Sequence, residues 1–314
     1  MDVSVIMTTY FHERFIRQAL DSILAQKTDY TYEVIIGDDG SADQTRAILQ
    51  EYAQRYPDKI RPLFREVRLG MQRNAMDCAA HGTGRYLAFL EGDDYWSDET
   101  RLQKQVDFLD SHPAYVAVGA NWNIVGLDGT LLRKGREEHT QIRDYTWEML
   151  QDFGIFSHIS TVLCRNVAKP LLAQYGDLIR RYIDLPLDTS AVLLALQFGK
   201  LAILPDTVSS YRWYIAENGK NWSSQNEIAA QKNNFLYFFR LELLQEKLMR
   251  ELGYPADLQS VRLREFQKLR GAMHREPENR QLRQDCRRML REEPRKLRFL
   301  IRCVQHHLER TAGK

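Results

Sequence analysis

Tyr86-Leu-Ala-Phe-Leu-Glu-Gly-Asp-Asp-Tyr-Trp96 is the stretch on which the reading of this chain turns. An apolar run of strand length stops at three acids, Glu91, Asp93 and Asp94. The same design occurs twice upstream. Val3-Ser-Val-Ile-Met-Thr8 runs into Thr9 and Tyr10, and Tyr32-Glu-Val-Ile-Ile-Gly37 runs into Asp38 and Asp39. Between these strands, Phe15, Ile16, Ala19, Leu20, Ile23 and Leu24 share one helical face. Ser41 and Gln44 have capping-box spacing ahead of a helix through Ile48, Leu49 and Tyr52. Ile60 to Phe64 predicts a third strand and Arg73 to Ala80 a third helix. Strand and helix alternate, which predicts an α/β fold with a mostly parallel sheet covered on both faces. Ligands of such sheets bind beyond the carboxyl ends of the strands. Three polar or acidic clusters therefore meet at one rim.

Further along, a helix capped near Ser97 carries Leu102, Val106 and Leu109 on its apolar face, with Asp98 and Glu99 in its first turn. Tyr115 to Ala120 predicts a strand, 189–198 a buried helix, and Leu201 to Leu204 and Val208 to Trp213 two short strands. Residues 121–185 give no clear period. From about Gln225 the pattern is helical, broken near Gly253-Tyr-Pro255, Pro277 and Pro294.

Composition narrows the possibilities. The 314 residues hold 44 Lys+Arg and 42 Asp+Glu, a net charge of +2, which argues against a nucleic-acid-binding surface over the whole protein. The sum conceals a division: residues 1–260 carry 28 basic and 35 acidic groups, net −7, whereas residues 261–314 carry 16 and 7, net +9. No apolar run approaches the roughly 18–20 residues that span a bilayer. Met1-Asp2 opens without the basic region of a signal peptide. Cys78, Cys164, Cys286 and Cys303 form no CxxC pair and suit a reducing, cytoplasmic setting. Acids crowded at strand ends are costly unless neutralised, and hard oxygen ligands suit Mg²⁺ or Mn²⁺ bridging to phosphates. Neither a GxxxxGK[ST] loop nor a GxGxxG after the first strand is present, so ATPase and dinucleotide readings lose support. The alternative for Glu91-Gly-Asp-Asp94 alone is an acidic turn ahead of a helix.

As a set, these motifs resemble the family-two glycosyltransferases of GT-A fold, in the subgroup with Glu91-Gly-Asp-Asp-Tyr-Trp96. The resemblance rests also on Val3 to Tyr10 with Glu13, Val34 to Ser41, Gly70 with Arg73-Asn74, Gly84-Arg85-Tyr86 and Leu102-Gln-Lys-Gln105. It continues more weakly through Thr161 to Arg165, Asp188, Gly199-Lys200 and Tyr211-Arg212. It implies a GT-A domain over 1–225, with a nucleotide-binding half at 1–95 and an acceptor half at 96–225. Residues 226–314 would form a helical basic C-terminal region.

The resemblance also implies roles. Thr8, Tyr10 and Glu13 stand where the family holds the nucleoside. Asp38, beside Asp39, is expected to accept a hydrogen bond from the base, with a uracil or thymine imide as the natural donor. Arg73 matches a donor-binding arginine, its alternative being a surface salt bridge. Asp93 and Asp94 match the end of the Asp-x-Asp element, one facing the ribose and the other the metal. Glu91 departs from the commoner Asp. Asp188, eleven residues before Gly199, matches the general base, with Asp184 as its rival. Arg212, Tyr214 and Trp222 belong to a candidate lid or acceptor surface, although Tyr214 replaces a common His and Trp222 could equally pack inward. The resemblance puts Trp147 and His158 on the acceptor side, the alternative being a core or surface role.

The implied function is inverting, metal-dependent transfer of a hexosyl or N-acetylhexosaminyl group from a nucleotide-diphosphate sugar, such as a UDP-sugar. The acceptor would be a saccharide or a lipid-linked sugar in bacterial surface polysaccharide synthesis. A non-catalytic nucleotide-sugar-binding or scaffold protein of the same fold is the alternative. A nucleotidyltransferase is disfavoured because Thr9-Tyr-Phe-His12 is no glycine-rich basic loop. The Arg-rich C-terminal helices suit either the inner face of an anionic membrane or packing against the domain or another subunit.

Overall fold

The computed structural model describes residues 1–135, 140–151, 156–182, 185, 187–214, 235–276 and 278–294. The chain divides into two compact units, Met1–Trp213 and Tyr214–Lys314.

In the first unit β1 (Val3–Thr9) is buried along nearly its whole length. It pairs in parallel with β2 (Tyr32–Asp38) on one side and β4 (Tyr86–Glu91) on the other. β3 (Ile60–Phe64) extends the parallel block beyond β2. Register matters most here. Thr9 lies opposite Asp38, and Thr8 lies opposite Glu91. The three polar strand ends are therefore neighbours across the sheet.

Helices cover both faces, as the strand–helix alternation requires. α1 (Ile16–Leu24) buries Ile16, Ala19, Leu20 and Ile23, the i, i+3, i+4, i+7 stripe. It shares a core with α2 (Thr45–Arg55) and, after the two-residue β5 (Tyr95–Trp96), with α4 (Arg101–Ser111). α3 (Met71–His81) packs on the opposite face over Ile6, Ile35 and Leu87. It comes so close that a Cβ on Gly37 would sit 2.6 Å from Cys78 Sγ, and Asn74 Nδ2 donates to the Gly37 carbonyl at 2.7 Å.

The capping expectations need correction. Ser41 Oγ accepts the Phe11 N–H, and Asp43 Oδ1 accepts the Thr45 N–H, so Ser41 and Gln44 form no capping box. α4 begins at Arg101, and Asp98 rather than Ser97 receives the Thr100 N–H.

The rest of the unit crosses from parallel to mixed pairing. β6 (Tyr115–Val125), β7 (Leu131–Lys134), β8 (Arg143–Tyr145), α5 (Trp147–Gln151), β9 (Leu163–Arg165), α6 (Ala168–Arg181), α7 (Leu187–Ala195) and β10 (Lys200–Arg212) follow in order. A short 3₁₀ turn, Ile159–Thr161, precedes β9. The strand order is β3-β2-β1-β4-β9-β6-β10-β5, with β7 on β6 and β8 on β10. The two strands expected in 201–213 are one. β10 runs through Pro205 with its register against β6 shifting between Ile203 and Thr207, where proline cannot donate to a ladder.

Described residues of the second unit form α8 (Phe235–Glu251), α9 (Gln259–Arg275) and α10 (Arg280–Glu292). The breaks fall at Gly253, in left-handed conformation, and just before α10, which Asn279 caps. Leu236, Phe239, Leu263, Phe266, Leu269 and Met289 make its core. Leu297, Leu300, Ile301, Val304 and Leu308, apolar positions of the expected basic C-terminal helix, lie outside the described residues. No described helix is long and apolar enough to cross a membrane.

Candidate active site at the strand ends

The acidic turn after β4 is built by close backbone approach. Gly92 N–H donates to the Thr8 carbonyl at 2.9 Å, and Asp94 N–H returns to the Glu91 carbonyl at 3.0 Å. A Cβ on Gly92 would lie 2.9 Å from both His12 Nδ1 and Thr9 Oγ1, so only glycine lets the turn sit this tightly on β1. Asp94 is 1% exposed. Its Oδ2 accepts from Ser160 Oγ at 2.6 Å, and its Oδ1 accepts the Arg212 backbone N–H at 2.9 Å. Burial, then the charge of Asp93, push its carboxyl well above the ordinary carboxylate range, against the pull of those two hydrogen bonds.

His158 closes the site from across the sheet. Its Nδ1 accepts the Ser160 N–H at 3.3 Å and lies 3.6 Å from Asp94 Oδ2. Nε2 then carries the ring proton and lies 4.0 Å from Glu91 Oε2. Burial pushes the imidazole down to about 4, so it is neutral at ordinary pH. One ligand atom each from Glu91, Asp94 and His158 fall within 4.8 Å of one another. Two carboxylates and a neutral imidazole suit a divalent cation. The anion burial that raises Asp94 is the cost that such a cation removes. Asp93 points elsewhere: its Oδ2 lies 3.6 Å from His12 Nε2.

The nucleoside side is ordered by the β2 end. Asp38 is fully buried. Its Oδ2 accepts from Arg46 Nε at 2.6 Å and from the Ser41 N–H at 3.2 Å. Its Oδ1 is buried with no hydrogen-bond partner among the described residues. Arg46 is itself held by the Arg65 carbonyl, at 2.5 Å from Nη2. Asp39 is a loop clamp, accepting the Leu69 and Gly70 N–H groups at 2.6 and 3.0 Å. The adjacent Arg68 guanidinium stacks 4.1 Å over the half-buried Tyr10 ring. Glu13 is exposed and accepts the Gln44 N–H at 2.8 Å. Thr8 is half-buried beside Glu91, and Arg73 is exposed in the first turn of α3.

On the far side, Arg212 is a clasp. Besides its N–H to Asp94, Nε donates to the Asp93 carbonyl at 2.9 Å, Nη1 to the Leu127 carbonyl at 3.2 Å and Nη2 to Gln18 Oε1 at 2.8 Å. Its guanidinium lies 4.6 Å from the Phe15 ring centroid. Gln72 Nε2 donates to the Leu185 carbonyl, tying α3 to the segment ahead of α7. Asp188 falls in the first turn of α7, but its side chain lies outside the described residues, as do Asp184 and Trp222. Tyr214 is half-buried at the start of the second unit.

Residues 4–166 match the model of glycosyl transferase family 2. The chain belongs to that family. Its relatives include the uncharacterized protein Rv1520 of Mycobacterium tuberculosis, 34% identical over 239 residues, which are 71% of this chain and 64% of Rv1520. The chain thus spans under two thirds of the length of that curated relative. TarS of Staphylococcus aureus, a poly(ribitol-phosphate) β-N-acetylglucosaminyltransferase, is 33% identical over 114 residues, 36% of this chain and 19% of TarS. The crystal structure of TarS 1–349 with UDP-GlcNAc superposes with a TM-score of 0.58 at 19% identity, covering 85% of this chain and 70% of that one. The mannosyltransferase PcManGT from Pyrobaculum calidifontis, in complex with GDP-Man and Mn²⁺, superposes at 0.56 and 16% identity, covering 98% and 86%. At such identities the two structures establish the GT-A-type fold.

For this family-2 chain, the fold brings together Thr8, Asp38, Asp39, Glu91, Asp93 and Asp94 at adjoining strand ends. It adds His158, Ser160 and His12, which local reading did not assign to the acid cluster. His158 reaches Asp94 from 64 positions away in the chain, and no short spacing announces such a partner. Arg212, expected at a lid or acceptor surface, is 3% exposed and committed to the acidic turn.

Proposed function

We propose that this family-2 chain is an inverting glycosyltransferase that uses a UDP-sugar and a divalent cation, Mn²⁺ or Mg²⁺. The observation carrying the reading is the juxtaposition, fixed by strand register, of a buried Asp38 oxygen without a partner and the Glu91–Asp94–His158 cluster. TarS and PcManGT differ in the base of their bound nucleotide, and Asp38 discriminates between such bases. Arg46 and Ser41 occupy Oδ2, so Asp38 offers a single acceptor, Oδ1. The single imide N–H of uracil or thymine matches one acceptor. The two donors on the edge of guanine would need both oxygens. Thr8, Tyr10 and Glu13 flank the nucleoside in this reading, Asp39 orders the loop bearing Arg68, Arg73 approaches the diphosphate, and Asp93 faces the ribose.

Glu91, Asp94 and the unprotonated ring nitrogen of His158 would hold the cation, with Asp93 near it. A bound divalent cation supplies neutralising charge for the departing diphosphate, so no protein acid is required. Asp188 is the base: it takes the acceptor hydroxyl proton as the oxygen bonds to the anomeric carbon and the bond to UDP breaks, UDP leaving with the electron pair. Tyr214 and Trp222 contribute to the acceptor side or lid. The acceptor is a saccharide or lipid-linked sugar of bacterial surface polysaccharide synthesis, and the transferred group a hexosyl or N-acetylhexosaminyl residue. The enzyme works in the cytoplasm or at the inner membrane face, where the basic C-terminal helices meet anionic lipid or another subunit.

The test is a panel of UDP-, dTDP- and GDP-sugars with Mn²⁺, scored by thermal shift and donor hydrolysis. Uracil or thymine donors should stabilise and hydrolyse slowly, and binding of none would sink the reading. UDP binding without hydrolysis or transfer to any acceptor would make the protein a non-catalytic nucleotide-sugar binder.

A further inference from the structure

Arg101 is fully buried, and the first turn of α4 is an unusual place for it. Burial pulls its guanidinium down to about 9, opposed by the charge of Asp98, which is itself bound to Lys104 at 2.8 Å. A cation inside a protein without a bound carboxylate is costly to keep. Every nitrogen of the guanidinium has a neutral acceptor. Nε donates to Gln105 Oε1 at 2.9 Å, Nη2 to the Val162 carbonyl at 3.0 Å, and Nη1 to the Ser160 carbonyl. Its flat face lies 4.1 Å over Trp96.

The neighbours of Arg101 complete one pattern. Trp96 Nε1 donates to the same Ser160 carbonyl at 3.1 Å, and Gln105 Nε2 donates to the Thr161 carbonyl at 2.8 Å. Three consecutive carbonyls, 160 to 162, are thus gripped by side chains from β5 and α4. This is the turn whose other face serves the acid cluster. Ser160 Oγ donates to Asp94, and the Ser160 N–H donates to His158 Nδ1, which directs Nε2 toward Glu91.

We propose that Arg101, with Trp96 and Gln105, is a positioning residue for the Glu91–Asp94–His158 cation site. It touches none of the three groups. It fixes the turn that aims two of them, the office outer-shell partners perform for metal ligands. The inference rests on the reading of that cluster as a cation site. A planar five-donor fork satisfies three acceptors at set angles and stacks on an indole, which lysine cannot do.

The test uses the full chain with Arg101→Lys. Mn²⁺ affinity is measured from the free-ion electron paramagnetic resonance signal, uridine affinity by calorimetry without metal, and Tm by calorimetric scanning. Wild type should bind Mn²⁺. In Arg101→Lys, Mn²⁺ affinity should fall about 10- to 100-fold, while uridine affinity, reporting the Asp38 pocket, stays unchanged. A lower Tm with unchanged Mn²⁺ affinity would reduce Arg101 to a purely structural residue. Parallel loss of uridine and Mn²⁺ binding would mean general disordering and would also overturn the proposal. A wild-type chain that binds uridine but no Mn²⁺ would overturn the cation reading together with the inference. Should Arg101→Lys fail to fold, Gln105→Met carries the same test by the same criteria, and Mn²⁺ affinity unchanged there overturns the role.

Discussion

Among the described residues two arginines are completely buried, one in each unit, and they are surrounded in opposite ways. Arg262 of α9 meets Glu293 Oε2 at 2.7 Å and Glu246 Oε2 at 2.5 Å, joining α8, α9 and the end of α10. Burial alone would lower its guanidinium, but its hydrogen bonds to Glu293 and Glu246 win and raise it. Arg101 has carbonyls and an amide where Arg262 has carboxylates, and burial lowers it. Asp94 is buried too, and among the described residues it receives the Ser160 hydroxyl and the Arg212 backbone N–H but no arginine side chain. Around Arg262 opposite charges meet within the chain. In the sheet unit Asp94 is buried beside the like charge of Asp93, and the proposed cation is what would balance it.

The sharpest way to break the comparison is to unbalance the balanced unit. Arg262→Met takes the buried cation from Glu293 and leaves Glu246 only the half-exposed Arg250, and should destabilise the helical unit by about 3–5 kcal/mol. Replacing Glu246, Arg262 and Glu293 together by apolar residues of similar volume should be neutral or stabilising. Chemical denaturation followed by far-UV circular dichroism reads both. A triple variant as unstable as Arg262→Met would show that the ion triad does more than close a charge balance.

The next effect lies at the nucleoside end of the sheet unit. Asp38→Asn can still present a carbonyl oxygen to Arg46 and Ser41, but it then offers an N–H where Oδ1 stood. Two donors would face one another across the base. UDP affinity should fall by about 1.5–3 kcal/mol, the worth of a hydrogen bond to a charged group. Titration calorimetry at fixed Mn²⁺ measures it, and an unchanged affinity would remove Asp38 from base recognition.

How much of this was legible in the chain follows from range. Val3–Thr9, Tyr32–Asp38 and Tyr86–Glu91 announce themselves because strand pattern and terminal acids are local, and their meeting at one rim follows from parallel topology. What brings His158 and Ser160 to Asp94 is antiparallel pairing of β9 with β4 and β6, set by strand register far along the chain. No local period encodes that contact. Pro205 reads as a strand break but is absorbed as a register shift, and Ser41 reads as a cap but is claimed by Phe11 from another loop. Arg101 lies beside the apolar face of Leu102, Val106 and Leu109, and only the fold shows it donating to the Ser160 and Val162 carbonyls and to Gln105.

Asp94→Asn tests the unbalanced side directly. Without metal, the buried carboxylate is a liability, since burial and Asp93 both disfavour its charge. The amide keeps an acceptor for the Arg212 N–H, and Ser160 Oγ can turn to accept from it. Metal-free Asp94→Asn should gain about 1 kcal/mol, a Tm rise of about 2–4 °C for a domain this size. Mn²⁺ should stabilise the wild type and not the variant. A fall in metal-free Tm would show that the carboxylate is already balanced within the chain.

The smallest effect isolates burial itself. Arg240 of α8 and Glu292 of α10 form a two-pronged pair at 2.8 and 2.5 Å, linking elements that the Arg262 triad also links. Their side chains are 51% and 30% exposed, against none for Arg262 and Glu293. Water screens this pair, so Arg240→Ala should cost only about 0.2–1 kcal/mol, and less at high salt. The pH dependence has a definite sign. Hydrogen bonds from Arg240 hold the Glu292 carboxyl below its ordinary 4.5. The pair's contribution is therefore present above about pH 4.5 and fades as pH falls through the lower folded-state value. Arg240→Ala and wild type should converge in stability on acidification. If Arg240→Ala instead costs as much as Arg262→Met at neutral pH and in high salt, burial is not what distinguishes the two arginines, and the contrast between the units loses its basis.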